Sequence, residues 1–176
     1  VESGSFFKRA NILGKEVYME VLKSIKFNHL RRRSTVIVKS KGTMKLYIKG
    51  VPEVLYELMA DNHPKHHLDM NNGLISSTNA RGLRTMGFGM RAVSEIEYFE
   101  FEKRLERAMA RQVLDEREKM INEAIDFIEQ GITYLGTAIC DEIVRPKVQE
   151  TLADIIKADI KLWVVSGDKL QNVVAT

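Results

Sequence analysis

The chain has 176 residues, 44% of them hydrophobic and 29% charged, with a formal net charge of +3. That length suffices for one domain with a true core, or for one domain and part of another, and the composition excludes a disordered or collagen-like chain. No apolar run approaches the length that spans a bilayer, the start VESGSFFKRA holds no signal-peptide core, and the single cysteine, Cys140, excludes an internal disulfide and fits a reducing, cytosolic compartment.

In chain order, EVYMEVLKSIKF alternates as a strand does. STVIVKS and MKLYIKG are β-branched or aromatic runs joined by KGT, a hairpin in which Gly42 can take a positive φ. Pro52 sits where the first turn of a helix accepts proline, so PEVLYELMA is expected as a short helix. DNHPKHHLDMNNG is expected as a polar loop, and ARGLRTMGFGMRAV passes from helix-like residues into a strand. Ser94 and Glu97 have the spacing of a capping box. They open a charged helical stretch that reaches about Gly131 and breaks near Asp115, with Phe101, Leu105, Met109 and Leu114 turned inward. ITYLGTAI then predicts a strand, KVQETLADIIKA a helix, and IKLWVVSG a last buried strand. The change from antiparallel hairpins to a strand-helix-strand unit falls near Cys140 and Asp141, which divides the chain into residues 1–140 and an incomplete second domain, 141–176.

Two groups of residues carry possible chemistry. Phe27, Arg32, Lys49 and Arg84 lie on or beside predicted strands, and an aromatic face with fixed cations suits a purine nucleotide. The plainer reading, with Phe27 in the core and the cations on a solvated face, stands beside it. The basic run Arg31, Arg32 and Arg33, followed by Lys39, Lys41, Lys45 and Lys49, would suit any polyanion. The second group is Ser166, Gly167 and Asp168 at a strand end, with Asp141 one crossover earlier. A hydroxyl beside backbone amides can hold a transferring phosphoryl group and carboxylates can serve Mg²⁺, although a lone Ser-Gly-Asp also makes an ordinary turn. His63, His66 and His67 lack the spacing of a structural zinc site, the charged helical stretch alternates in sign as a solvated amphipathic helix does, and Cys140 is expected as a packed thiol. No metal ligands are assigned.

Taken in order, five segments resemble the cytoplasmic catalytic region of P-type ATPases, in particular the phospholipid-flippase branch. IKFNHLRRRSTVIV is similar to the family's Phe-Asn…Arg-Lys-Arg-Met-Ser-Val-Ile-Val segment, YIKGVPEVLYE to its Lys-Gly-Ala motif, and ARGLRT to its Gly-Leu-Arg-Thr element. YLGTAICDEIV resembles its hinge and ADIKLWVVSGDK its Thr-Gly-Asp-Lys strand. The fold implied is α/β in the α+β sense: an antiparallel sheet flanked by helices, forming a nucleotide-binding domain, then a truncated haloacid-dehalogenase-like Rossmannoid unit. Carried over by position, the resemblance implies that Phe27 stacks on adenine and that Lys49, Arg84 and Arg32 serve the nucleotide and its phosphates. Gly50 permits close backbone approach, Asp141 and Gly167 lie near the nucleotide, and Ser166 and Asp168 act on the γ-phosphoryl. It implies ATP and Mg²⁺ as cofactors, a phospholipid substrate and an accessory subunit only through the parent's membrane part, a place on the cytoplasmic face of a membrane, and no nucleic-acid partner. Neither the nucleophile motif Asp-Lys-Thr-Gly-Thr nor the magnesium motif Gly-Asp-Gly-x-Asn-Asp occurs in these residues, so ATP is expected to bind without turnover. Val51 stands where the family has alanine and Glu142 where it has lysine. The alternative is a degenerate regulatory module, such as the flippase-like region fused to some protist guanylate cyclases.

Overall fold

A computed structural model describes residues 6–60, 65–81, 83–141 and 145–167. Alternating apolar residues in the first half do form strands: β1 (Phe6–Ile12), β2 (Lys15–Asn28), β3 (Arg33–Ser40) and β4 (Thr43–Gly50). Two tight turns set their register. Lys41 and Gly42 both have positive φ, 48° and 76°, between the paired residues Ser40 and Thr43; Leu13 and Gly14 repeat this between Ile12 and Lys15. Positive φ at both central residues matches the right-handed twist of the flanking strands, and the glycine in each turn carries its half without a Cβ penalty.

After α1 (Pro52–Tyr56) come α2 (Lys65–Ala80), β5 (Arg84–Val93), α3 (Glu95–Met109), α4 (Leu114–Glu129), β6 (Thr133–Cys140) and α5 (Val148–Lys157). The fold is mixed α and β, with a six-stranded sheet in the order β1-β2-β3-β4-β5-β6 and antiparallel register from β1 through β5. Two units are distinguished: residues 1–64 with 86–137, and residues 65–85 with 138–176. Among the described residues no helix is long and apolar enough to cross a membrane.

The core of the first unit is the covered face of the sheet. Ile25, Ile37, Leu46 and Ile48 meet Phe101 and Leu105 of α3 and Ala124, Ile125 and Ile128 of α4. Full burial of one such side chain is worth about 1.5–3 kcal/mol. Ser94 caps α3 as its spacing predicts: its hydroxyl accepts from the Glu97 amide at 3.2 Å, and its own amide donates to the Glu97 carboxylate at 2.9 Å. That backbone donor, outweighing partial burial and aided by the Ser94 hydroxyl and Arg91, holds the Glu97 carboxyl below its ordinary range. Glycines in β5 let its neighbours close in. A Cβ on Gly87 would meet Tyr134 and Leu55 at 2.9 and 3.1 Å, and one on Gly89 would meet Ile132 at 2.7 Å.

Several expectations are corrected. KHHLDMNNG belongs to α2, not to a loop; the helix starts directly after Pro64 and spaces Leu68, Ile75 and Thr78 at helical intervals, a weak pattern that polar residues obscure. His66 and His67 are in that helix, whereas His63 lies outside the described residues. Met109 and Leu114 are exposed, because α3 ends at Met109 and α4 begins at Leu114; Ala108 takes the inward position. Cys140 is exposed at the end of an edge strand. Residues 161–167 carry no strand, and Trp163 is 84% exposed, since no other described segment pairs with them to complete a ladder.

Candidate functional site

Strands β2 to β5 bury one face and leave the other open, because successive side chains point to opposite sides. Along β4, Met44, Leu46, Ile48 and Gly50 are buried, while Tyr47 and Lys49 face outward. Register aligns a row across four strands. Ser34 of β3 pairs with Lys49 of β4, which pairs with Phe88 of β5. A parallel row one step along holds Ser24, Val36, Tyr47 and Met90.

The β2 end of the first row is a bulge. Ile25 pairs with Thr35 and Asn28 with Arg33, so Lys26 and Phe27 together oppose Ser34 alone. An extra residue in one strand bends it and re-aims a side chain. Phe27, 63% exposed, thereby joins Ser24, Ser34, Tyr47, Lys49 and Phe88 in lining a concavity of about 490 Å³. This size lies within the usual range for a small-molecule site. Chemically the hollow offers ring surfaces at Phe27 and Phe88, the lysines Lys26 and Lys49, and two serine hydroxyls. A flat apolar ring carrying an anionic tail is the ligand these groups suit.

The basic run preceding β3 is not a stripe. Arg31 and Arg33 are buried, and only Arg32 between them is exposed. Arg31 Nη2 donates to Glu129 Oε1 at 2.5 Å, Arg33 Nε to Glu129 Oε2 at 2.6 Å, and Thr35 Oγ1 to Glu129 Oε1 at 2.5 Å. Asp126 receives Arg33 Nη2. Glu129 is fully buried in the last turn of α4, where exposed carbonyl dipoles disfavour a carboxylate, and two guanidiniums offset that. Lys39 likewise pairs with Glu95 at 3.0 Å. Sequence reasoning missed Glu129, which lies 96 residues from Arg33. The available signal was a glutamate directly after Ile128, on the side of α4 that also carries the buried Ile125.

The remaining expected residues are placed as follows. Arg32 has φ 51°, and its carbonyl accepts from the Val51 amide at 3.1 Å. Gly50 is buried, and the approach it permits is that of the chain itself: a Cβ there would lie 2.7 Å from the Arg32 oxygen and 2.7 Å from Arg33 Cβ. Neither lines the concavity. Arg84, exposed at the first position of β5, falls in the second unit with Asp141, Ser166 and Gly167, all three exposed. Asp168 lies outside the described residues. The lining holds no carboxylate, and among the described residues no cluster of three or more His, Cys, Asp or Glu is placed to hold a metal ion. The concavity therefore offers ring surfaces and positive charge but no carboxylate that could ligate Mg²⁺.

No protein-family model matches the chain. Curated relatives do. The chain is 32% identical over 165 residues to a phospholipid-transporting ATPase, DNF1, of Chaetomium thermophilum, covering 93% of this chain and 10% of that protein. It is 30% identical over 177 aligned residues to phospholipid-transporting ATPase 10 of Arabidopsis thaliana, covering 98% and 15%. It is 31% identical over 169 residues to the human phospholipid-transporting ATPase IH, covering 94% and 14%. The chain thus spans only 10% to 15% of the length of these relatives, and a remote-homology link joins it to that portion of the phospholipid-transporting P-type ATPases.

Proposed function

We propose, from that remote-homology link, that the chain is the ATP-holding part of a flippase-like P-type ATPase, with residues 1–140 as the nucleotide-binding domain and 141–176 as the start of the second half of the phosphorylation domain. The observation that carries this reading is the open row from Phe27 through Ser34 and Lys49 to Phe88 over a concavity of about 490 Å³. Phe27 stacks on the adenine. Lys49 neutralises charge beside it, and exposed Arg32 attracts the phosphate tail from the rim. In this reading Mg²⁺ would be carried by the phosphates and not by the concavity, whose lining holds no carboxylate. Arg84, Asp141, Gly167, Ser166 and Asp168 keep the roles that the resemblance assigns them around the phosphates and the phosphoryl group. In the parent, ATP held this way would serve aspartyl phosphorylation on the cytoplasmic face of a membrane, and phospholipid would be handled by the membrane part. Catalysis of this kind rests on positioning and charge stabilisation, so a preorganised sheet face is a suitable contribution.

The test is titration of the chain with ATP, with and without Mg²⁺, followed by amide shifts in NMR. Saturable shifts at Phe27, Ser34, Lys49 and Phe88, weakened by Phe27→Ala and by Lys49→Ala, are expected. Absence of binding at millimolar ATP by the folded chain would overturn the ATP assignment and leave the regulatory, degenerate module as the better account.

A further inference from the structure

We infer that Glu129 is a positioning residue for the Phe27 end of the concavity: a buried carboxylate that sets the β2–β3 bulge from the covered face of the sheet. The inference rests on the nucleotide reading for its consequence, though not for its geometry. A bulge is defined by the pairs on either side of it. Here these are Ile25 with Thr35 and Asn28 with Arg33. The two β3 members, Thr35 and Arg33, are the residues whose side chains end on Glu129, one on each carboxylate oxygen. Ser34 between them points to the open face, opposite Lys26 and Phe27. A third donor, Arg31, reaches the same carboxylate from the turn that joins the strands. That turn is fixed at its other side by Asn28, whose Oδ1 accepts from the Leu30 amide at 2.7 Å and whose carbonyl accepts from the Arg32 amide at 2.7 Å.

Register is where this charge acts. A slip of β3 by one residue exchanges the two faces of the strand. Ser34 would then meet Glu129, and Arg33 and Thr35 would turn to the open side. The slip strands a fully buried carboxylate without its guanidinium partner, an outcome far less favourable than a lost neutral contact. Glu129 therefore favours one pairing, and that pairing places Phe27 against the concavity. Glu129 itself does not line the hollow, so it acts through the strand and not on the ligand. Asp126 shares Arg33 but is half exposed, and it is a lesser part of the same arrangement.

The test compares the wild-type chain with Glu129→Gln and Thr35→Val, reading amide hydrogen exchange without nucleotide and then ATP affinity. In Glu129→Gln, exchange at Lys26, Phe27 and Ser34 is expected to quicken roughly tenfold, the effect of one charge-assisted hydrogen bond, while the Met44 to Ile48 amides of β4 keep their rates. ATP affinity is expected to fall about fivefold by the same loss of preorganisation. Thr35→Val, which removes one donor and keeps the β-branched shape, gives the same pattern at smaller size and decides the matter if Glu129→Gln does not fold. Uniformly faster exchange across β2 to β4 would show a merely structural role and overturn the inference, as would unchanged exchange at the bulge. If the wild-type chain binds no ATP, the nucleotide reading fails, and the exchange measurement still decides the positioning role.

Discussion

Lys49 and Ser166 each stand at the end of an apolar run that reads as a strand, yet only the first run is in a sheet. MKLYIKG pairs on both sides, with β3 and β5, and its alternation sorts Met44, Leu46 and Ile48 from Tyr47 and Lys49. KLWVVSG forms no strand and exposes Trp163, Val164 and Val165. Apolar character brings a strand about only where neighbours complete its hydrogen bonds. The concavity is made within one unit by local hairpins, whereas a site at a strand end depends on a ladder being there to carry it.

The sharpest way to break this contrast is to delete one large ring on each side of it. Phe101→Ala, at a fully buried position, should destabilise the first unit by about 3–5 kcal/mol in denaturant unfolding, while Trp163→Ala should stay within about 0.5 kcal/mol. An equal loss at Trp163 would mean that the second region has a packed strand after all. Glu129→Ala should cost a similar ~3–5 kcal/mol, because it removes the buried carboxylate that Arg31 and Arg33 share and leaves Arg33 only half-exposed Asp126.

At the level of binding, Lys49→Ala should weaken ATP about tenfold, worth ~1.4 kcal/mol, in the same NMR titration. Helix ends extend the comparison. Ser94→Ala removes a side-chain cap from α3 and should cost about 1 kcal/mol, whereas Lys147, which precedes α5 with φ 67°, makes no side-chain cap, so Lys147→Ala should alter thermal stability little. The smallest effect concerns pH. The folded Glu97 carboxyl titrates below its unfolded value, so its contribution is present above about pH 4.5 and is lost as pH falls through the folded value. The stability difference between wild type and Glu97→Gln should therefore shrink in acid.

Much of the first unit was legible because its signals are local. The Lys41–Gly42 turn, the Ser94 and Glu97 box, and the i, i+4 spacing of Phe101 and Leu105 each need only a few consecutive residues to act. Motif resemblance singled out Phe27 and Lys49, and both line one concavity. Less was legible where the decisive partner is far away in the chain. Arg31, Arg32 and Arg33 look alike as a run, and only the arrival of Glu129 beneath β3 divides them into two buried ions and one exposed cation. Phe88 became the far wall of the concavity because β4–β5 register set it beside Lys49, and the bulge that turns Phe27 toward it arises from pairing that no single strand encodes. Turns, caps and alternation thus come from the sequence itself, through the conformational preferences of neighbouring residues. Which charges are buried and which rings share a hollow came only from tertiary structure, because desolvation and register are properties of segments brought together.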